Sequence, residues 1–477
     1  MGQSTNGRKS SNSAFDWLRT CFVDGTHIFW GDFVKYKVNR NGLRLAKLAS
    51  LVYWNQFRYP QPTKGTYDIA GSTMEKLKWA YKCWVRQIEV AERGAGIEDH
   101  FAKQTLDFFP EEGFEETASV SLCAGGDLMA VDVLTEENTP YLFDGIGDFY
   151  FDADIVCANL ESTVYARAPL GRNQVPGMPA KMNTSEGMLD RFLNGGKGIN
   201  YFSVANNHCY DYCEEGLLAT LDMLDRKGCW YSGTNRSPQA QEDVLIIEKN
   251  GVRIAMLSYT FDMNGNHYEK KHLINEVRFN DEIVDLSMVK RHIAKAREKG
   301  CDLVVASCHW GWEFEMYPHA SVIKVAHTLA DEGVDVILGS HPHVAQPLER
   351  YDAVRNGRVC PCLIAYSLGD FVSYHPISKN AKLSLVIRFQ IKKGVLRGTQ
   401  KTVLSDLEVY PVYLVAQDIS EDACDCRLLS FQKVLDCHGS CGLSPEEKTD
   451  LQRLDKKVLR GILVPPQAAH HIVAPQK

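Results

Sequence analysis

The sequence predicts an α/β fold with an aromatic-rich, mainly helical N-terminal extension, and three observations predict it. Six short apolar runs rich in Val, Ile and Leu lack clean alternation, as strands buried on both faces do. Beyond about residue 117 these runs alternate with segments whose apolar residues recur three and four apart, the period of helices. Ahead of them, from Phe15 to about Pro110, the chain is crowded with aromatics, among them Trp17, Trp30, Trp54, Trp79 and Trp84. With 477 residues, 44% of them hydrophobic, the chain can bury a large core, so one main domain plus an extension is expected.

Residues 1–12, polar and rich in Ser, Asn and Gly, read as a disordered tail. Residues 13–116 read as the extension and its linker, the acidic stretch 111–116 being the linker proper. The best-defined helix there opens at Ser72 with Glu75 three residues on, a capping box. It carries Leu77, Tyr81, Trp84, Ile88 and Ala91 at helical spacing, a stripe expected to pack on the main domain. Residues 117–415 read as the main domain. Its six runs lie at 120–124, 155–158, 202–205, 303–306, 334–338 and 363–366, with helical patterns at 214–227, about 281–299 and 320–332. A hairpin, 244–248 and 252–259, turns at Asn250-Gly251. A strand pair, 383–391 and 401–415, has Lys393-Gly394 at its turn, and residues 416–477 read as loop with one or two polar helices.

A formal charge of −7 without any long Lys/Arg block excludes a general nucleic-acid footprint. No apolar core follows Arg8 and Lys9 and no run of 18 apolar residues occurs, so neither signal peptide nor membrane span is expected. Asn6 stands where myristoylation of Gly2 would want Ser or Thr. The fifteen cysteines, odd in number and scattered, favour a reducing, cytoplasmic setting with free thiols. Cys360 and Cys362, Cys424 and Cys426, and Cys437 and Cys441 form no four-ligand zinc set.

Each apolar run leads into residues fit to bind metal or move a proton: Asp127; Asn159 and Glu161; Asn206, Asn207 and His208; His309; His341 and His343; Gly369 and Asp370. Polar groups at the C-terminal ends of such strands converge in one crevice. On an extended backbone, adjacent Asn207 and His208 point to opposite sides, so Asn207 could lend a carbonyl oxygen to a metal while His208 faces substrate. Pro342 should hold the chain extended and set His341 and His343 on one side, serving one metal or two neighbours. Gly125 and Gly126 are small enough to let backbone approach a ligand beside Asp127, and Glu313 closely follows His309. Three histidines, one asparagine and two carboxylates form a mixed nitrogen/oxygen set that suits zinc, manganese or iron better than calcium.

These residues carry a resemblance. Gly126-Asp127-Leu128-Met129, Ala158-Asn159-Leu160-Glu161, Ala205-Asn206-Asn207-His208-x-x-Asp211, His309-Trp310-Gly311, Gly339-Ser340-His341-Pro342-His343 and Tyr366-Ser367-Leu368-Gly369-Asp370-Phe371 follow, in order and spacing, the motifs of the CapA family. These are poly-γ-glutamate capsule synthesis proteins with a calcineurin-like metallophosphoesterase fold, and the resemblance spans about residues 117 to 375. It implies a two-sheet sandwich flanked by helices, with one or two divalent transition-metal ions (Mn, Zn or Fe) at the strand ends. By position, Asp127 would bind one metal, Glu161 would bridge, Asn207, His309 and His341 would complete the second, and His343 would reach back to the first. His208 would be the proton donor, with Asp211 in the same catalytic motif. Asn206, Glu313 and Asp370 are expected near substrate. The chain departs from the wider superfamily in having Met129 where a histidine is usual and Glu161 for a shorter Asp. It also has Asp370 where the CapA family commonly has Asn.

Two functions compete on these grounds. One is a metal-dependent hydrolase or transferase acting on a phosphoester or γ-glutamyl-type amide, with an anionic small molecule or polymer as substrate. The other is a non-catalytic metal-containing binding or scaffold protein for an anionic polymer. His208 beside a near-complete ligand set favours the first, and Met129 favours the second.

Overall fold

The computed structural model describes residues 40–61, 72–129, 134–173, 175, 179–374, 379–420, 423–437 and 441–474; Gly2, the tail 1–12, Trp17 and Trp30 lie outside them. In chain order the strands are β1 (Phe114–Leu128), β2 (Ile155–Leu160), β3 (Gly171–Asn173), β4 (Lys181–Asn183), β5 (Tyr201–Ser203) and β6 (Trp230–Ser232). Then come β7 (Leu245–Lys249), β8 (Val252–Thr260), β9 (Leu303–His309), β10 (Val336–Ser340), β11 (Leu348–Arg355) and β12 (Arg358–Ala365). The last are β13 (Asp370–Val372), β14 (Leu383–Leu396), β15 (Thr399–Asp418) and β16 (Cys424–Ser430).

Each of the six apolar runs supplies a strand, and the strands form two large sheets beside the two-stranded pair β3-β4. One has the order β16-β15-β14-β1-β2-β5-β6 with β13 paired to β1; the other has the order β11-β12-β10-β9-β8-β7. Both are parallel at the centre, where β1, β2, β5 and β6 pair in one and β8, β9, β10 and β12 in the other. Val120, Leu122 and Ala124 of β1 share a core with Ile254, Met256, Val305 and Ile337 of the second sheet, which packs the sheets face to face. Cys123 and Leu128 point the other way, into a core with Leu217, Leu221 and Leu224 of the helix Cys213–Lys227. The helices Ser287–Glu298 and Ala320–Glu332 bury Val289, Ile293, Val322 and Leu329 on the far side. Strands covered on both faces need no alternation, which is why the runs read as continuous apolar stretches.

Register lines up the site. Asp127 stands opposite Asn159 of β2 and Asp370 of β13, and His309 opposite Ser340. Gly126 makes this possible, because a side-chain carbon there would lie 1.8 Å from the Gly369 carbonyl oxygen. Its small size thus admits a neighbouring strand, not the ligand that the sequence suggested.

The N-terminal segment holds helices α1 (Arg40–Val52), α2 (Trp54–Arg58), α3 (Thr73–Trp84) and α4 (Ile97–Phe101). Ser72 caps α3, its hydroxyl accepting from the Glu75 N–H. The helix ends at Trp84, short of the expected stripe. Ile88 is instead extended and bridges to Glu315, so tertiary strand pairing overrides the helical period. Ile97, Phe101, Leu106 and Phe108 join the main core.

Other expectations shift. β1 already begins at Phe114, inside the predicted linker, and pairs with Leu396. The β14–β15 turn falls at Arg397-Gly398, both with positive φ, while Gly394 lies within β14, where a side chain would meet the Glu115 carbonyl oxygen at 2.2 Å. The helix near residue 281 starts only at Ser287. β15 runs to Asp418, and β16 extends the sheet before the helices Phe431–Asp436 and Pro445–Arg453. Cys437 and Cys441 form a disulfide, a correction to the free-thiol reading, while the other twelve cysteines among the described residues form none. Among the described residues no helix is long and apolar enough to cross a membrane.

Candidate metal centre

The strand ends bring together Asp127, Glu161, Asn207, His309, His341, His343, Glu313 and Asp370, all buried. Ligand atoms of Glu161, His309 and His341 lie within 4.8 Å of one another, as do those of Glu313, His341 and His343, and those of Asp127, His343 and Asp370. The His309 and His341 rings are 4.9 Å apart between centroids.

One half of the centre is built around His309. Its Nδ1 bonds the Ser340 hydroxyl at 2.8 Å, which leaves Nε2 directed at Asn207 Oδ1 (3.0 Å) and Glu161 Oε1 (3.5 Å). Asn207 is itself oriented by donation from Nδ2 to Asn264 Oδ1 at 3.2 Å. In the other half, His343 Nδ1 bonds Asp370 Oδ1 at 2.8 Å and Nε2 lies 3.9 Å from Glu161 Oε1. Ser373 donates to the second Asp370 oxygen at 2.7 Å. Asp370 therefore orients a histidine, in the manner of the carboxylates behind metal-binding imidazoles. Asp127 accepts from Asn159 Nδ2 at 2.9 Å and from the His341 backbone N–H at 3.2 Å.

Burial sets the electrostatics. It raises the Asp127 carboxyl to about 6 and the Glu161 carboxyl well above the usual carboxylate range, Asp127 adding to the latter. It holds His309 and His341 well below the usual imidazole value. For His343 burial works the same way, but Asp370 and Glu161 outweigh it and raise its pKa well above the usual value.

Two groups stand apart. Among the described residues, neither carboxylate oxygen of Glu161 and neither ring nitrogen of His341 has a hydrogen-bond partner. Buried polar atoms of native proteins are nearly always paired, so a carboxylate and an imidazole left open within 4.8 Å of each other fit a cation. The donor set of imidazole nitrogens, an amide oxygen and carboxylates fits a divalent transition metal. Two further histidine–carboxylate groups differ. Glu349 is bonded by His100, His327 and Tyr366, and Asp107 by His470 and His471, so their carboxylates are already satisfied.

His208 sits at the edge of the centre. Its Nδ1 lies 2.7 Å from Asp211 Oδ2, and because a carboxylate only accepts, Nδ1 carries the hydrogen and Nε2 is the working end. Asp211 also accepts from the Met182 N–H at 2.6 Å and is buried, so it acts through His208. Asn206, expected near substrate, donates from Nδ2 to the Leu160 carbonyl at 2.7 Å and accepts at Oδ1 from the His208 N–H at 3.1 Å. Glu313 and Asp370 join the ligand clusters themselves.

Two geometric arguments from sequence need correction. Asn207 and His208 diverge within consecutive turns, Cys209 N–H to Asn206 carbonyl and Asp211 N–H to His208 carbonyl, and not along a strand. His341 and His343 are not extended around Pro342; their φ values are 96° and 55°, left-handed conformations that concentrate at functional sites. Asn159, Ser340 and Asn264 were not singled out as orienting groups. Their position beside the motifs was the available signal for the first two, and Asn264 had none.

The family described as bacterial capsule synthesis protein PGA_cap matches residues 121–375. The chain is 25% identical to the capsule biosynthesis protein CapA of Bacillus anthracis over 328 residues, covering 65% of this chain and 75% of that protein. It is 31% identical to the PGA biosynthesis protein CapA of Bacillus subtilis (strain 168) over 221 residues, covering 45% of this chain and 52% of that one.

Proposed function

The chain belongs to the bacterial capsule synthesis protein PGA_cap family, and we propose that it is a metal-dependent hydrolase or transferase acting on an anionic substrate. The substrate bond is a phosphoester or a γ-glutamyl-type amide, within capsule or poly-γ-glutamate metabolism. The observation that carries this reading is the buried Glu161 carboxylate and His341 imidazole, each without a hydrogen-bond partner among the described residues and with a ligand atom of one within 4.8 Å of a ligand atom of the other. Asp127, Glu161, Asn207, His309, His341 and His343 would hold one or two divalent ions, Mn, Zn or Fe.

A divalent ion there would polarise the substrate and lower the pKa of water. The chain's own residues do the rest. Asp211 fixes the His208 tautomer, and protonated His208 gives its Nε2 proton to the leaving group. Ser340 and Asp370 fix the rings of His309 and His343. Phe261, 4.6 Å from the His341 ring centroid, keeps water from that side.

The scaffold reading draws on Met129, which packs on Met182 where the superfamily usually has a histidine ligand. Turnover separates the two. A phosphoester or a γ-glutamyl amide should be cleaved by the wild-type chain, and His208→Asn should retain metal yet lose about a hundredfold or more in kcat. His341→Ala should lose both metal and turnover. Metal-loaded wild-type protein that binds poly-γ-glutamate but cleaves none of these substrates would establish the scaffold. Twelve cysteines outside any disulfide among the described residues support a cytoplasmic location; recovery of the chain outside the cell or with membranes on fractionation would contradict it.

A further inference from the structure

Glu313 is fixed by a helix that precedes the residues matched by the family, 121–375. From α3, Trp79 Nε1 donates to Glu313 Oε2 at 2.5 Å, and buried Lys82 pairs with Glu315 Oε1 at 3.0 Å. Just past α3, Ile88 grips the same loop from its backbone. Its N–H donates to the Phe314 carbonyl at 3.0 Å, and its carbonyl accepts from the Met316 N–H at 2.8 Å. Trp79 meets Phe314 edge-on with 6.1 Å between centroids, and Phe314 lies 5.8 Å from the His343 ring. Phe314 itself has φ 62°, a conformation that a bulky residue keeps only where its surroundings impose it.

At the other end of this clamp is the metal centre. A Glu313 carboxylate oxygen lies within 4.8 Å of ligand nitrogens of both His341 and His343. Burial leaves Glu313 only 5% exposed, so its carboxylate is committed to the interior. Met129, where the superfamily usually has a histidine ligand, offers no nitrogen or oxygen to the centre.

We propose that Glu313 is a further metal ligand and that α3 completes the centre, with Trp79 as the positioning residue. Trp79 bonds the Glu313 carboxylate and so fixes it beside His341 and His343. The inference rests on the metal-centre reading above. It adds that a segment outside the family match builds part of the site.

The test is zinc affinity of the full chain, measured by competition with a chromophoric chelator after metal removal. Trp79→Phe keeps the ring and removes the donor; Glu313→Gln removes the anionic ligand. Trp79→Phe should weaken zinc binding about 10- to 100-fold, the usual effect of losing an outer-shell partner, Glu313→Gln should weaken it at least as much, and the double variant should be no weaker than Glu313→Gln alone, because Trp79 acts only through Glu313. Trp84→Phe, which alters the neighbouring ring 5.6 Å from Trp79, should leave affinity unchanged. Wild-type affinity in Glu313→Gln, or losses that multiply in the double variant, would overturn this inference while leaving the centre standing. A wild-type chain that takes up no divalent metal would overturn the metal-centre reading and this inference together.

Discussion

Glu161 joins opposed demands at a single residue. Its carboxylate is fully buried with no hydrogen-bond partner among the described residues, and burial favours the neutral carboxyl over the charged one. Glu161→Gln should therefore change the melting temperature of the metal-free protein by only a few degrees. A bound ligand stabilises the native state by about 4 kcal/mol at a thousandfold excess over Kd, and that gain should appear in the wild type and vanish in the variant. Equal metal-dependent gains in thermal denaturation of both would remove Glu161 from the ligand set. Gly126 tests the scaffold behind it. With the Gly369 carbonyl oxygen 1.8 Å from the position of an added carbon, Gly126→Ala should cost about 3 kcal/mol or more in denaturant unfolding, and a near-neutral effect would contradict the close approach of β1 and β13.

At the scale of elements, the segment from α4 to Phe108 is latched to the main domain by ionisable groups. Burial alone would raise the Glu349 carboxyl, but hydrogen bonds from His100 and His327 outweigh it and hold it at about 2. The bond to Glu349 raises His100 above the usual imidazole value. The depressed carboxylate contributes stability above its unfolded pKa of about 4.3 and loses it as pH falls toward 2; the raised histidine contributes fully below about 6.5 and loses it as pH rises through its folded value. Protection of residues 97–108 from proteolysis should therefore be greatest between about pH 4.5 and 6.5. His100→Ala should flatten the alkaline side and keep the acid side, because His327 still bonds Glu349. Unchanged alkaline sensitivity in that variant would show that the latch is not electrostatic.

Elements differed in how far sequence revealed them. The strands that carry the site were legible because burial on both faces leaves a continuous apolar run, and the Asn250-Gly251 turn because both its residues need positive φ. The sequence puts the β14–β15 turn at Lys393-Gly394, four residues early. Only pairing of Glu116 with Gly394 across to β1, a contact hundreds of residues distant in sequence, decides for Arg397-Gly398. The end of α3 was hidden for the same reason, since Ile88 is drawn out by Glu315. The conformations of His341 and His343 were masked by Pro342, whose usual preference the site overrides.

Over the whole molecule, the candidate ligand residues lie between positions 127 and 343 on the two sheets, whose centres are parallel. The N-terminal segment is part of that body, because Ile97, Phe101, Leu106 and Phe108 fill the main core. Deleting residues 1–110 should expose their apolar seat and cause aggregation; a monomeric product with unchanged melting temperature would contradict the packing. The central claim is that one buried centre binds divalent metal, and elemental analysis of protein purified without chelators tests it most directly. One or two transition-metal ions per chain are expected in the wild type and far fewer in His341→Ala, whereas a metal-free wild type, or equal content in both, would contradict the account.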